Sequence, residues 1–503
     1  MSIPLHTVST VVEPKSKSPN SMDASSVMRI VIALFLGLAI SIAVAVTAVN
    51  LGVVFIIVAV LAVPMAVLVI RYPFSAVMIW LIVFPFVVRG TSGFGVPLYN
   101  AVHRLLIPGA LWLVLMQSWM GSSKRLNVRF GLAEFVMAIS LLWSLGSIFI
   151  LGQSGLGSLI DLYDRIFVPY CMYWLIRLIA LTAEDLRRFL PAAFITWITQ
   201  AAIGLASWFM PSLLPPQWLG EAGERVVGTF KNPAVYTTTV MFLGLLLFQY
   251  LINSKSNGRR LVAVIALALT LFCVLMSFSR GSWVGGSLAL LGLLMVYPRV
   301  MTRLLMIGVV LIVILGNTVF TSEVEFANER LNDTGTVSSR LLTGAKSLGM
   351  IEARPLFGWG FGNYDLFDDA YRVITIDPDS VREGDHTSHN TFFTIMAEQG
   401  IPALVFYLFP ALWWFLTTIA LWQRMPATGF WSRTLIALLW LLILDHLTVS
   451  MFMDMLRFNT FGTTIYWMAL GLIANVLTRT QQESESRSVS VPATQEYSLS
   501  KAN

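Results

Sequence analysis

Two cysteines occur in 503 residues, Cys171 and Cys273, and both fall inside apolar stretches. They can build neither a disulfide framework nor a thiolate metal site. Charged residues are scarce as well, at 12% of the chain against 56% hydrophobic residues. A net charge of +6 would suggest a nucleic-acid partner in a soluble domain, but here the basic residues sit in short loops between apolar runs. The positive-inside bias of membrane proteins accounts for them, so no nucleic acid is expected. No internal repeat of fixed period is present. The acids Asp377, Asp379, Glu383 and Asp385 do not follow calcium-loop spacing and are interrupted by Pro378, so no metal and no cofactor is expected.

Long hydrophobic runs are what the chain does have, and with a mean hydropathy of +0.75 they define an all-α polytopic membrane protein whose partners include the membrane lipids themselves. Hydropathy predicts about fourteen spans (a range of 12–14), at 28–47, 51–70, 74–88, 105–120, 132–151, 166–181, 189–209, 235–252, 261–277, 283–297, 304–320, 401–421, 434–452 and 459–477. The first 26 residues are polar and no cleavage site follows them, which predicts an uncleaved first span and a cytoplasmic N-terminus. An even number of spans returns the C-terminus to the cytoplasm. Most loop cations then share one side. A smaller set, Arg89, Arg104, Arg165, Arg225, Lys231, Arg280 and Arg457, falls on the other. Some of these are expected to anchor spans or pair with Asp161 and Asp164; several converging on one surface would make an anion site, because arginine presents a planar fork of donors that matches phosphate oxygens.

The one long polar interval, about Thr321 to Ser388, also lies on that side. It holds twelve Asp and Glu against six Lys and Arg and reads as a solvated acidic loop. Within it, Gly358-Trp359-Gly360-Phe361-Gly362 lacks the strand and helix that surround a nucleotide-binding glycine motif, so a turn packed by Trp359 and Phe361 is expected.

The interval closes on DHTSHNTFFTIMAEQGIPAL, Asp385 to Leu404, which contains two of only five histidines. Asn390 and Thr391 can cap a helix just after His389. The apolar pattern from Thr391 to Trp422 would be about 48 Å long as one helix, too long for a core of about 30 Å. Glu398-Gln399-Gly400-Ile401-Pro402 supplies a break, so a short helix at about Asn390 to Gln399 and a span at about Ile401 to Leu421 are predicted. Glu398, nine residues beyond His389, points to nearly the opposite face and reads as an anchor. An unprotonated imidazole at His389 can accept a proton near neutral pH. A histidine that only caps or hydrogen-bonds at an interface is the alternative.

Arg225 to Pro233, Ser279-Arg280-Gly281-Ser282-Trp283, the run Arg354 to Asn363 and the His389 segment together resemble the signature of the O-antigen ligase and polysaccharide polymerase family of bacterial envelopes. The resemblance is strongest from about Arg225 to Leu404. It implies a lipid-linked, GT-C-like glycosyltransferase of the bacterial inner membrane, working at the periplasmic face without a metal. The donor would be a glycan on undecaprenyl diphosphate; the acceptor would be a sugar hydroxyl, on another glycan for a polymerase or on lipid A core for a ligase. Polymerase is the reading preferred here and O-antigen ligase its alternative. In this reading His389 is the catalytic base, Arg225, Arg280 and Lys231 bind the donor diphosphate, and Asn390, Glu398 and His386 support them.

The implied organisation is a cytoplasmic N-terminus (1–27), a bundle of about eleven spans (28–320), a large periplasmic segment carrying the catalytic stretch (321–400), a three-span bundle (401–477) and a disordered cytoplasmic tail (478–503). A small-solute or inorganic-carbon transporter is the rival from another class. It needs ionisable groups near mid-membrane, whereas the charges here favour span ends.

Overall fold

A computed structural model describes residues 64–87, 95–120, 130–150, 155–179, 181–220, 225–332, 334–371, 387–427, 431–458 and 460–489. The chain divides into two compact units, Met1–Val67 and Leu68–Asn503. Of the first, only residues 64–67 are described, and they are helical. The span expected at 28–47 and most of that at 51–70 therefore lie outside the described residues.

In the second unit the main helices are α1 Ser75–Val83, α2 Leu106–Trp119, α3 Leu132–Ile150, α4 Val168–Leu178, α5 Ala183–Phe209, α6 Pro233–Ile252, α7 Asn257–Leu275, α8 Arg280–Val296, α9 Pro298–Gly316, α10 Thr321–Asn332, α11 Thr334–Ala353, α12 Thr391–Gln399, α13 Ile401–Leu421, α14 Arg433–Ser450 and α15 Thr460–Val489. Among the described residues, nine helices are long and apolar enough to cross a membrane, and two more, Ser75–Phe86 and Arg280–Val296, are apolar but shorter. A polytopic helical membrane protein is what these elements define.

α6 and α15 form the centre: 83% of the apolar window of α6 and all of that of α15 are buried. α15 packs against α4, α13 and α14, while α6 packs against α5, α7 and α14. By contrast α9 is only 12% buried over its window, as expected of a helix whose apolar side chains face lipid. α8 and α14 lie side by side, and α8 turns glycines toward its neighbour. A methyl group on Gly281 would meet Phe452, one on Gly285 would meet Asp445, and one on Gly292 would meet Leu441, all within 3 Å. Small residues along one stripe let the two backbones approach closely.

Two features depart from expectation. The interval 321–388 is not a simple loop: α10 and α11 occupy most of its first half. α11 buries Thr343, Lys346, Ser347 and Met350, so a helix with one polar-lined buried face forms where net acidity alone suggested solvation. The last helix also continues to Val489, into the Ser-, Gln- and Glu-rich stretch expected to be disordered from 478. Gln481, Gln482, Glu483, Glu485 and Arg487 are good helix formers among the serines, and extension of an existing helix adds a hydrogen bond per residue without a new nucleation cost.

Candidate active site

Asn390 caps α12, accepting hydrogen bonds from the Phe392 and Phe393 amides at 2.9 and 3.1 Å. The helix ends at Gln399, Gly400 adopts φ +83°, and α13 begins at Ile401. The break inferred from Glu398 to Pro402 thus falls where expected.

α12 is held at both ends. On the His389 side, Asn390 Nδ2 donates to the Met451 carbonyl at 3.1 Å and Thr391 Oγ1 to the Met453 carbonyl at 3.0 Å. Thr394 Oγ1 donates to Asp454 at 2.5 Å, and the Met455 amide donates to Thr391 Oγ1 at 2.9 Å. At the other end the glycine-rich run caps the helix. The amides of Trp359 and Gly360 donate to the carbonyls of Ala397 and Glu398 at 2.9 and 2.7 Å, and the Ile401 amide donates to the Pro355 carbonyl at 2.8 Å. The last carbonyls of a helix have no partners within it, and this run supplies them. The glycines therefore serve a helix C-terminus, and Trp359 packs on Phe367 and Tyr371 as a turn residue should.

Glu398 is buried, and its carboxylate accepts from the Tyr364 amide at 3.4 Å. It ties the glycine run to α12 rather than reaching His389, in keeping with its reading as an anchor. Burial pushes its carboxyl up to about 7, against the lowering influence of Arg165 and of backbone amides. A folded-state value above the ordinary carboxylate range means the fold binds this proton more tightly than the unfolded chain. Stability from this group is thus fully present at acidic pH and is lost as pH rises from about 4.5 through about 7. Glu398→Gln should abolish that dependence: thermal unfolding followed against pH should show the variant equal to wild type near pH 5 and more stable, by about 3 kcal/mol, near pH 8. A wild-type stability that rises across that interval would contradict the assignment.

The cations expected on this side now separate. Arg104 makes a two-pronged pair with Asp164, at 2.7 Å for each contact, and Arg165 pairs with Asp161 at 2.7 Å. Arg457 pairs with Asp365; burial, then Arg165 nearby, pulls its guanidinium down to about 10. Arg104 and Arg165 take the partners expected at Asp164 and Asp161, whereas the partner of Arg457, Asp365, comes from the polar interval. Arg89 and His386 lie outside the described residues.

Arg225, Lys231 and His389 line one cleft of about 340 Å³, as do Ser279 and Gly281, but Arg280 between them is not among its lining residues. The Val226 amide donates to the Met276 carbonyl at 3.3 Å, fastening the Arg225 strand of chain to the turn that leads into Arg280. Thr237 Oγ1 donates to Ser282 Oγ at 2.6 Å, and Ser282 Oγ to Ser279 Oγ at 3.0 Å, so the first turns of α6 and α8 are joined. α6 begins at Pro233 and α8 at Arg280, and α12 begins two residues past His389; Pro233, Ala234, Ser279, Gly281 and His389 all line the cleft. Three helix N-termini therefore meet at one cavity. Each carries about half a positive charge from the helix dipole, although the side chains of Asn232 and Asn390 already accept from the first amides of α6 and α12.

The backbone is strained here too. Lys231, Phe278 and His389 are the non-glycine residues with positive φ among the described residues, at 57°, 48° and 49°. Two of them line the cleft and the third precedes Ser279. Such strain persists only where surrounding structure enforces it, and it collects at functional sites.

The cleft also contains residues that pattern reading missed: Val449 in the last turn of α14, Phe452 and Met453 just after it, and Arg340 from α11. Arg340 was one of six cations in an acidic interval, and nothing in its local sequence distinguishes it.

Residues 265–408 match the family model described as O-antigen ligase. The matched stretch contains Arg280, Arg340, His389 and Glu398, but not Arg225 or Lys231. The chain is also similar to the O-antigen ligase of Salmonella typhimurium (strain LT2), at 28% identity over 179 residues. That alignment covers 33% of this chain and 43% of the relative, so the chain spans less than half of the relative's length.

Proposed function

We propose that this protein transfers a glycan from a polyprenyl diphosphate carrier to a sugar hydroxyl at the outer face of the inner membrane. One observation carries the reading: a cavity at one end of the bundle where Arg225, Lys231 and Arg340 meet three helix N-termini and a histidine. Such a cavity is suited to a polyanion beside a proton acceptor. In the reaction, the acceptor oxygen attacks the anomeric carbon, the bond from that carbon to the phosphate oxygen breaks, and the diphosphate leaves with the electron pair. Arg225, Arg280 and Lys231 stabilise the charge that develops on it, and His389 takes the hydroxyl proton. Asn390 fixes the helix that presents His389, and Glu398 anchors its far end.

Of the two acceptor classes, the similarity to an O-antigen ligase favours lipid A core over a growing glycan. No residue of the cleft favours the polymerase reading given above. The fourteen-span, GT-C-like layout with cytoplasmic termini belongs to the same proposal. Asp445 and His446 lie five and four residues before the end of α14 at Ser450, less than about 8 Å below the cleft end. This charge placement suits surface chemistry better than a transmembrane path.

The polysaccharide profile of a deletion strain tests the reading. Long chains left on carrier lipid mean ligase, loss of long chains means polymerase, and an unchanged profile rejects both. In purified protein, Arg280→Lys and Arg225→Ala should each weaken donor use by about 10-fold or more, because a point charge or a methyl group cannot replace a two-pronged phosphate contact. Wild-type kinetics in Arg280→Lys would remove Arg280 from the site.

A further inference from the structure

We propose that Gln200, a buried side chain of α5, is a positioning residue: it holds the turn that carries Arg225 and Lys231 where these cations can meet the donor diphosphate. The inference rests on the functional reading above and adds to it a residue that does not line the cleft.

The turn from Arg225 to Lys231 is not a surface loop. Val226, Val227, Gly228, Thr229 and Phe230 are all buried. Buried backbone must find its partners inside the protein, and in the middle of this turn they come from one side chain. The Thr229 amide donates to Gln200 Oε1 at 3.2 Å, and Gln200 Nε2 donates to Thr229 Oγ1 at 2.9 Å. Thr229 Oγ1 gives its own proton to the Pro85 carbonyl, just past α1, at 2.6 Å. One carboxamide thus grips the main chain and the hydroxyl of a residue that stands between Arg225 and Lys231.

Gln200 is 0% exposed. An unpaired carboxamide in an apolar bundle is costly, so both of its ends need the turn as much as the turn needs them. The same face of α5 is shaped to receive it. One turn of helix earlier, Thr196 donates to the Leu81 carbonyl at 3.1 Å, which ties α5 to α1. One turn later, Gly204 leaves room for the approach: a methyl group there would lie 2.8 Å from Val226 Cγ1 and 2.1 Å from the Tyr236 hydroxyl. Gly228 holds φ +56°, and a methyl group on it would lie 2.6 Å from Gln200 Oε1. The turn is therefore seated on α5 by contacts at Val226, Gly228 and Thr229.

The consequence is geometric. Arg225 and Lys231 are long side chains, and the fold can fix only where they start. Without Gln200 the turn keeps its outer ties, the Val226 amide on the Met276 carbonyl and the Asn232 cap of α6, so the chain follows the same course while the roots of the two cations shift. A misplacement of about 1 Å at an active site can cost about 10²-fold.

The experiment uses full-length protein in nanodiscs. Binding of inorganic pyrophosphate and of undecaprenyl diphosphate is measured, with thermal melting alongside, for wild type, Gln200→Met, Thr229→Val, Thr229→Ser and Trp197→Phe. Methionine fills similar space without the hydrogen bonds. Gln200→Met and Thr229→Val should each weaken both ligands by about 10-fold, whereas Thr229→Ser, which keeps the amide and the hydroxyl, should restore wild-type affinity. Trp197→Phe controls for stability alone. It removes the bond from Trp197 Nε1 to Thr270 Oγ1, 3.0 Å, on the same helix, and should lower the melting temperature without lowering affinity. Gln200→Met is then combined with Arg225→Ala and, separately, with Lys231→Ala. A cation that is gone cannot be misplaced, so the loss due to Gln200→Met should shrink on at least one of these backgrounds.

Wild-type affinity in Gln200→Met would overturn the inference, as would an equal loss in Trp197→Phe or an undiminished loss on both cation-deleted backgrounds. If Gln200→Met does not fold, Thr229→Val against Thr229→Ser decides, and equal affinities in that pair would overturn it too. A wild-type protein that binds neither pyrophosphate nor undecaprenyl diphosphate would instead sink the functional reading, and the role of Gln200 with it.

Discussion

Transfer by His389→Ala protein should fall by about 10² to 10⁴-fold, the usual contribution of a general base, while the protein still inserts and binds donor. The backbone complicates this substitution, because His389 holds φ +49° and alanine is strained there by about 1 kcal/mol. His389→Asn is the better probe: asparagine tolerates the left-handed region but cannot serve as the base near neutral pH. Both variants should lose transfer to a similar degree. If asparagine restored turnover, the histidine would matter only for the turn. The pH profile separates a base from a phosphate ligand. A base requires activity to be lost where acid protonates the ring, whereas an imidazolium holding phosphate would lose activity where the ring gives up its proton. A flat profile would remove His389 from proton transfer.

The second large effect is structural. Gly400→Ala should prevent accumulation of folded protein, since Gly400 sits at φ +83° and a methyl group there would lie 2.1 Å from the Leu356 carbonyl oxygen and 2.3 Å from its carbon. Backbone cannot rotate aside as a side chain can. A conformation nearly restricted to glycine, combined with an overlap that displaces the glycine run, costs about 3 kcal/mol or more. Gly146→Ala, where the added methyl has nothing within 4 Å, is the matched control in a detergent-solubilised melting assay. Equal melting temperatures for the two variants would contradict the capping role given to the run Arg354 to Gly362.

Much of the site was legible because its signals are local. Asn390 before Thr391 announces a helix start, and Gly400 with Pro402 announces a stop and a restart; the elements fall on those residues. Each expected span from 74–88 onward coincides with a helix, because a run of apolar residues dictates its own hydrogen bonding in lipid. Other parts depend on distant partners. The glycine run was read as a packed turn, but its partners, the carbonyls of Ala397 and Glu398, come nearly forty residues later. Arg340 reaches the cleft only because Lys346 and Ser347 find Asp368 and Tyr364, and a salt bridge between residues 22 apart leaves no periodic trace. Net acidity misjudged the polar interval for the same reason, since it counts charges without asking which are buried in pairs.

The ties between α12 and the Met451–Met455 segment bear on how the protein is made. Chain emerging from the ribosome presents Arg225, then Arg280, then Arg340 and His389, yet the hydrogen bonds that hold Thr391 and Thr394 come from Met453, Asp454 and Met455. Contacts between residues about 60 positions apart can form only after both have been synthesised. The cleft is therefore completed only once α14 is in the membrane and the chain beyond it has turned back. A chain that ended between His389 and Met453 would carry Arg225, Arg280, Arg340 and His389 without the contacts that hold Thr391 and Thr394, so the wall of the cleft that these contacts order would be missing.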